Sequence, residues 1–303
     1  MSYVASPSVR SYAAQKGVDL ARLARESGRE TLAREDVDQA AAGMTPAPAS
    51  VQDSASGVRT SHYWEVDHAA HGPVREEELP RFATLAAANL SAANAAIPQV
   101  THHDCADMRA IESFRARLKP EAQVRGTKLT ALAFHVAVLA RCLRQFPRFN
   151  SSLSADGRQL ILKEYVHIGI AVDTPHGLMV PVIRDAGDKG LWALAAEIAD
   201  LAARAQTRKI RPEEMGGASM SISNLGGIGG NGFTPIVNPP EVAILGLTRT
   251  RTQPVHEDGS WVPVPMCPLD LSYDHRVVNG ADAARFLSRY AALLGEPRRL
   301  LLC

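Results

Sequence analysis

Leu271-Ser272-Tyr273-Asp274-His275-Arg276-Val277-Val278-Asn279-Gly280-Ala281-Asp282 ends an alternating apolar run and opens a helical one. Leu269, Leu271 and Tyr273 recur at every second residue, which places them on one strand face. From Ala281 the spacing becomes helical, through Ala284, Leu287, Ala291 and Leu294. His275 stands at the junction, with a regular element on each side to fix it. General-base chemistry needs a fixed group, and an imidazole takes up and returns a proton near neutral pH. A polar residue closing a strand is the plainer account, and spacing alone favours it. Asn279 is a good N-cap for the helix. A capping role and a role beside His275 weigh equally.

Upstream, Ser219-Met220-Ser221-Ile222-Ser223-Asn224-Leu225-Gly226-Gly227 alternates hydroxyl and apolar residues. Met220 and Ile222 are expected to face the core, with the serines on the other face. Such a serine row is usually a solvated sheet face. The glycines that follow lack the Gly-Lys-Ser/Thr ending of a phosphate loop, and no helical stripe succeeds them. Helical stripes run through Leu129, Leu132, Val136, Leu139 and Leu143, and through Leu191, Leu194, Ile198, Leu201 and Ala205. Strands are expected around Val166 to Val172, Val242 to Leu247 and Trp261 to Tyr273, with a hairpin turn at Thr174 to Gly177. Strands and helices mix without strict alternation, so the fold class is α+β.

Composition sets limits. The 303 residues, 46% hydrophobic, suffice for one large core and something small. A net charge of +1 gives no reason to expect nucleic acid or an anionic membrane as partner. Cys105, Cys142, Cys267 and Cys303 are scattered, which fits neither a zinc site nor a disulfide framework and suits a reducing cytoplasm. His62, His68 and His71 lack ligand partners at metal spacing, so no metal is expected. No apolar run is long enough for a membrane span, and no leader pattern is expected at the N-terminus. Three segments emerge: 1–40, charged and helix-forming; 41–74, Ala/Pro-rich and tether-like; and 75–303, the large domain. Ser6 or Ser8 can cap a first helix, with Pro7 early in it and Gly17 ending it.

Asp274 to Gly280 resembles the Asp-His-Arg-x-x-Asp-Gly signature of the dihydrolipoamide acyltransferases, the core components of 2-oxo acid dehydrogenase complexes. Asn279 stands where that signature has its second Asp. Chloramphenicol acetyltransferase shares a related histidine signature. Pro235-Ile236-Val237-Asn238-Pro239-Pro240-Glu241-Val242-Ala243-Ile244-Leu245-Gly246 is similar to a second family block. Phe146 to Leu153 and Tyr165 to Pro175 look most like the pyruvate-type acetyltransferases. Ala5 to Arg10, Gly17 to Leu20 and Glu35 to Val37 resemble the family's peripheral subunit-binding domain. Arg25 to Thr31 departs from that domain's glycine-rich basic loop, and residues 1 to 40 hold six basic and six acidic side chains.

The resemblance implies a chloramphenicol-acetyltransferase-like two-layer catalytic domain beside a small helical binding domain. It implies that His275 deprotonates a thiol, that Ser223 bonds the oxyanion, and that Asn279 borders them. Arg115 matches an arginine near coenzyme A, with an ordinary exposed helix charge as the equal alternative. Ser152 lies in a stretch bordering the same channel. Coenzyme A and a lipoyl group are implied as substrates, with no covalently bound cofactor. No lipoyl segment occurs in this sequence, so the lipoyl group is expected on another domain or chain. Homotrimers with the active site between neighbours, built into a larger core, are implied, and Leu300-Leu301-Leu302 resembles the inter-trimer knob. A decarboxylase and a dihydrolipoamide dehydrogenase are the implied partners. A non-catalytic core component and a stand-alone acetyl-CoA-dependent transferase remain the other two readings.

Overall fold

The computed structural model describes residues 4–27, 31–32, 34–41 and 66–301. The chain divides into two units, Met1–Glu77 and Glu78–Cys303. In the first, β1 (Val4–Ala5) pairs in parallel with β2 (Thr31–Leu32). Among the described residues, three α-helices accompany them: α1 (Pro7–Lys16), α2 (Leu20–Ser27) and α3 (Arg34–Ala41). Ser6 Oγ accepts from Val9 N–H and caps α1, Pro7 takes the first turn, and Gly17 ends the helix at φ 69°. That φ is left-handed, which glycine adopts without a Cβ penalty. Val9, Ala13, Leu23, Ala24, Leu32 and Val37 form its small core. Asp19 Oδ1 accepts from Ala21 N–H at 2.8 Å and starts α2, a helix too short to announce itself by periodicity. Most of the expected tether, 41–74, falls outside the described residues, and so do residues 28–30 in the middle of the divergent loop, 25–31.

The second unit opens with α4 (Arg81–Ala96), β3 (Gln99–Asp107), α5 (Arg109–Val124) and α6 (Ala131–Gln145). A two-stranded ribbon follows, β4 (Ser151–Leu153) with β5 (Leu160–Leu162). Next come β6 (Ile168–Ala171), β7 (Val182–Ile183) and α7 (Leu191–Gln206). After these come β8 (Met220–Asn224), β9 (Ala243–Leu247), β10 (Arg251–Glu257), β11 (Ser260–Asp274) and α8 (Gly280–Gly295), then a short 3-10 helix at Pro297–Leu301. Seven strands make one sheet in the order β10-β11-β9-β8-β6-β7, with β3 on the other edge of β11. The β6–β8 and β8–β9 pairs are parallel and the others antiparallel. Helix and sheet are mixed, as the α+β expectation has it.

The register explains the layering. Ile170, Ile222, Leu245 and Leu271 are cross-strand partners, and all are buried. Paired residues share a face. That row meets the helices in one core with Phe134, Val138, Phe286 and Leu294. Helix α8 packs on β3 and β11, and α6 lies against α7 and α8. Burying each large apolar side chain contributes roughly 1.5–3 kcal/mol, so this core sets the position of the strands.

The opposite face differs from the solvated row expected. Ser219 and Ser221 are buried, and along β11 so are Asp270, Ser272 and Asp274. Each has a partner: Tyr165 O for Ser219, Glu241 for Ser221, His103 for Asp270, Thr101 for Ser272 and Arg276 for Asp274. A buried polar group without one would cost about 1–3 kcal/mol. Sequence alternation sees the face of a residue but not what lies over that face.

Candidate active site

His275 follows the last residue of β11 and is exposed. Its backbone N–H donates to Pro98 O at 3.1 Å. Val277 and Val278 N–H both return to Asp274 O at 3.0 Å, and both valine side chains are buried. The turn is therefore tight and anchored from below. Asp274 precedes the histidine but does not orient it. Its carboxylate accepts from Arg276 N–H and Nε–H through Oδ1, at 3.0 and 2.9 Å, and from Nη2–H through Oδ2 at 2.6 Å. That pairing holds the Arg276 guanidinium above its ordinary pKa. The Tyr273 ring lies 5.8 Å from the imidazole, centre to centre. Asn279 is the N-cap of α8, with Oδ1 accepting from Asp282 N–H at 2.9 Å.

Ser223 is half-buried on β8, between Ala171 of β6 and Gly246 of β9. Gly246 in turn pairs with Asp270 of β11. His275 is five residues beyond Asp270, about 16 Å along the strand, and β11 is two strand spacings, about 10 Å, from β8. The serine and the histidine therefore stand at different ends of the sheet, and one chain does not bring them together. His275 is exposed and Ser223 half-buried, each at its own end of the sheet.

Arg115 lies on α5. Its Nη1 donates to both Glu112 carboxylate oxygens at 2.7 Å, and Nε donates to Leu129 O at 3.0 Å. It lines a cavity of about 510 Å³ with Lys119, Gln123 and Lys128. Lys128 also lines a second cavity of about 550 Å³, with Thr130, His135, Asn224, Gly226 and Thr248. The two concavities share Lys128 in their lining; the first holds Arg115 and the second Asn224, the residue after Ser223. Thr248 Oγ1 is buried and has no partner among the described residues. His135 Nδ1 lies 2.7 Å from Tyr290 Oη, and burial lowers the imidazole to about 4, so it is neutral near pH 7. A cationic rim leading to a neutral, hydrogen-bonding interior suits a long ligand with an anionic head. Lys119, Lys128 and Thr248 escape sequence reasoning, because nothing local distinguishes them from other lysines and threonines. Ser152 is buried on β4 opposite Ile161 and lines neither cavity. Among the described residues, no group of three or more His, Cys, Asp or Glu is placed to hold a metal ion. No helix among them is long and apolar enough to cross a membrane.

Residues 71–302 match the family described as 2-oxoacid dehydrogenases acyltransferase (catalytic domain). The dihydrolipoyllysine-residue acetyltransferase component of the pyruvate dehydrogenase complex of Pseudomonas aeruginosa is 44% identical over 299 residues, covering 98% of this chain and 55% of that protein. Its counterpart in Azotobacter vinelandii is 44% identical over 302 residues, covering 98% and 47%. The chain spans about half the length of these relatives. Among solved structures, the Azotobacter vinelandii dihydrolipoamide acetyltransferase superposes with a TM-score of 0.77 at 47% identity, covering 78% of this chain and 97% of that one. The cubic core of a pyruvate dehydrogenase multienzyme complex gives 0.77 at 48% identity, with the same coverage. The family match over most of its length and the identity across nearly all of it place this chain in the 2-oxoacid dehydrogenase acyltransferase family.

Proposed function

We propose that this chain transfers an acetyl group between dihydrolipoamide and coenzyme A, in the core of a pyruvate dehydrogenase type of complex. One observation carries the reading. The solved Azotobacter vinelandii acetyltransferase was investigated for the role of a serine, a histidine and an asparagine in its catalytic mechanism, and these stand 52 and 4 positions apart. Ser223, His275 and Asn279 are the same residue types at the same two separations.

In the proposed reaction the His275 imidazole accepts the thiol proton of the acceptor. The thiolate attacks the thioester carbonyl carbon, and the carbonyl electrons move onto oxygen. The Ser223 hydroxyl donates to that oxyanion, a bond that strengthens as charge develops. Collapse expels the second thiolate, and His275 returns the proton to it. Arg115, Lys119 and Lys128 attract the phosphates of coenzyme A, and the track past Thr248 leads its thiol toward Ser223. Two chains complete each site, because the halves stand far apart on one sheet. A homotrimer, assembled into a larger core, supplies such neighbours. In this reading Ser152 lies in a stretch that borders the same channel. Leu300 lines an apolar cavity of about 840 Å³ with Phe114, Phe134 and Trp192, a surface suited to contact between trimers.

Within this reading, 75–303 is the catalytic domain on the chloramphenicol-acetyltransferase plan and 41–74 its tether. Residues 1–40 are a peripheral subunit-binding domain for a decarboxylase or dihydrolipoamide dehydrogenase, and the lipoyl group arrives on another domain or chain. The cytoplasm is its compartment. The test is thioester formation from acetyl-CoA and free dihydrolipoamide, followed in the ultraviolet. Steady turnover is expected. No turnover with dihydrolipoamide, but transfer to another thiol or amine, would make it a stand-alone transferase instead.

A further inference from the structure

The row that holds Ser223 continues across the sheet: Ser223 pairs with Gly246, Gly246 with Asp270, and Asp270 with His103 on β3. All four face the same side. Asp270 is only 2% exposed, yet it is charged chemistry in the middle of a sheet. Its Oδ1 lies 2.6 Å from His103 Nδ1, and its Oδ2 accepts from Phe233 N–H at 3.2 Å. With the carboxyl ionised it can only accept, so Nδ1 is the donor. His103 itself is 58% exposed at its side chain. The Phe233 ring lies over Gly246. A Cβ built there would meet ring carbons at 2.7 and 2.9 Å and Asp270 Cβ at 3.1 Å. Glycine at 246 is what admits the ring. Gly232, just before Phe233, also fits closely, since a Cβ on it would stand 3.2 Å from Asp270 Oδ1.

We propose that His103 and Asp270 are positioning residues for acyl transfer: they hold Phe233, and through it the wall beside Ser223. The proposal rests on the acyl-transfer reading above. The ring sits over the immediate strand neighbour of Ser223, about 4.8 Å away across the sheet. It belongs to a loop rich in glycine, in which Gly230 has a φ of 88°. Such a backbone has many alternatives, so a point of attachment decides where the ring rests. Further fixings lie to either side: Ile228 and Gly229 N–H donate to Leu225 O at 2.9 and 3.0 Å, Arg249 Nη2 donates to Ile228 O at 2.9 Å, and Val237 N–H donates to Gln99 Oε1 at 2.7 Å. None of these bonds is to residue 233. Asp270 does, and His103 ties the carboxylate to a neighbouring strand so that it cannot swing away.

Two measurements on the full chain test this. Amide hydrogen exchange at Phe233 reads the attachment without turnover, and acetyl transfer from acetyl-CoA to dihydrolipoamide reads its consequence. Asp270→Ala is expected to speed exchange at Phe233 and to lower kcat/KM about tenfold, since a small misplacement near reacting atoms costs that much or more. Asp270→Asn keeps an acceptor for Phe233 and an amide donor for the other histidine tautomer, and is expected to restore most of both. Asp270→Ala combined with Phe233→Ala should be no slower than Phe233→Ala alone, because the two act as one unit. Losses that multiply in the double variant, or exchange at Phe233 unchanged, would overturn the proposal. If Asp270→Ala does not fold, His103→Ala at the exposed end of the pair takes its place, with the same expectation for exchange. A wild-type chain without acetyl transfer would remove the acyl-transfer reading while leaving the exchange result to decide the attachment.

Discussion

Ser223 lies in the sheet and His275 just past the end of one of its strands, and the two are out of step: the cross-strand row of Ser223 reaches β11 at Asp270, five residues before the histidine. A base and an oxyanion donor must both touch the same few atoms of substrate. Two damaged chains should then repair each other. Mixing Ser223→Ala with His275→Ala subunits, after dissociation and reassembly, is expected to restore about a quarter of wild-type activity, the share of random neighbour pairs with both halves intact. Mixed assemblies as inactive as either parent would place the whole site in one chain.

His275→Ala should lower turnover by about a thousandfold, within the range a positioned general base contributes. The imidazole is exposed, and the turn beneath it is held by Asp274, Val277 and Val278, so assembly should survive. Light scattering beside the transfer assay separates the two. Activity near that of the wild type would end the role of His275 as base.

Ser223→Ala should reduce kcat by about two to three orders of magnitude and barely change the Michaelis constants, since the hydroxyl bonds a charge present mainly in the transition state. Weaker binding at unchanged kcat would move Ser223 from the chemistry to substrate positioning.

Glu241 gives a pH signature unconnected with turnover. It is buried, accepts from Ser221 Oγ at 2.9 Å, and leaves Oε2 without a partner among the described residues. Burial pushes the carboxyl up from 4.5 to about 7. Between those values the unfolded chain releases a proton that the folded chain keeps, so stability falls as pH rises from about 4.5 to 7 and then levels. The full effect is about 3 kcal/mol. Denaturation midpoints for Glu241→Gln should lose this slope relative to wild type, and equal slopes would show that another group carries it.

Much of this was legible because it is local. The α1 caps, the α6, α7 and α8 stripes and the strand before His275 all follow from spacing within a few residues. Helix α4 was not legible as an element: its alanine-rich sequence has no apolar stripe, and nearly all of it is exposed. Strand β3 gives no alternation signal, because Gln99–Asp107 carries polar residues at both phases. The distance between Ser223 and His275 depends on a register set across three strands. The His103–Asp270 pair joins positions 167 residues apart, and nothing near either residue announces the other.

The cap on α8 has one more implication. An asparagine and an aspartate serve a helix N-terminus about equally well. The bond from Asn279 Oδ1 to Asp282 N–H would survive exchange for a carboxylate. The scaffold is therefore indifferent to which of the two occupies 279, and any preference must come from what approaches the turn that carries His275. An amide leaves two N–H donors and no charge, whereas an acid leaves a fixed negative charge facing the same approach. Residue 279 is thus a place where the electrostatics of the site can drift, over generations or by design, while the fold records nothing.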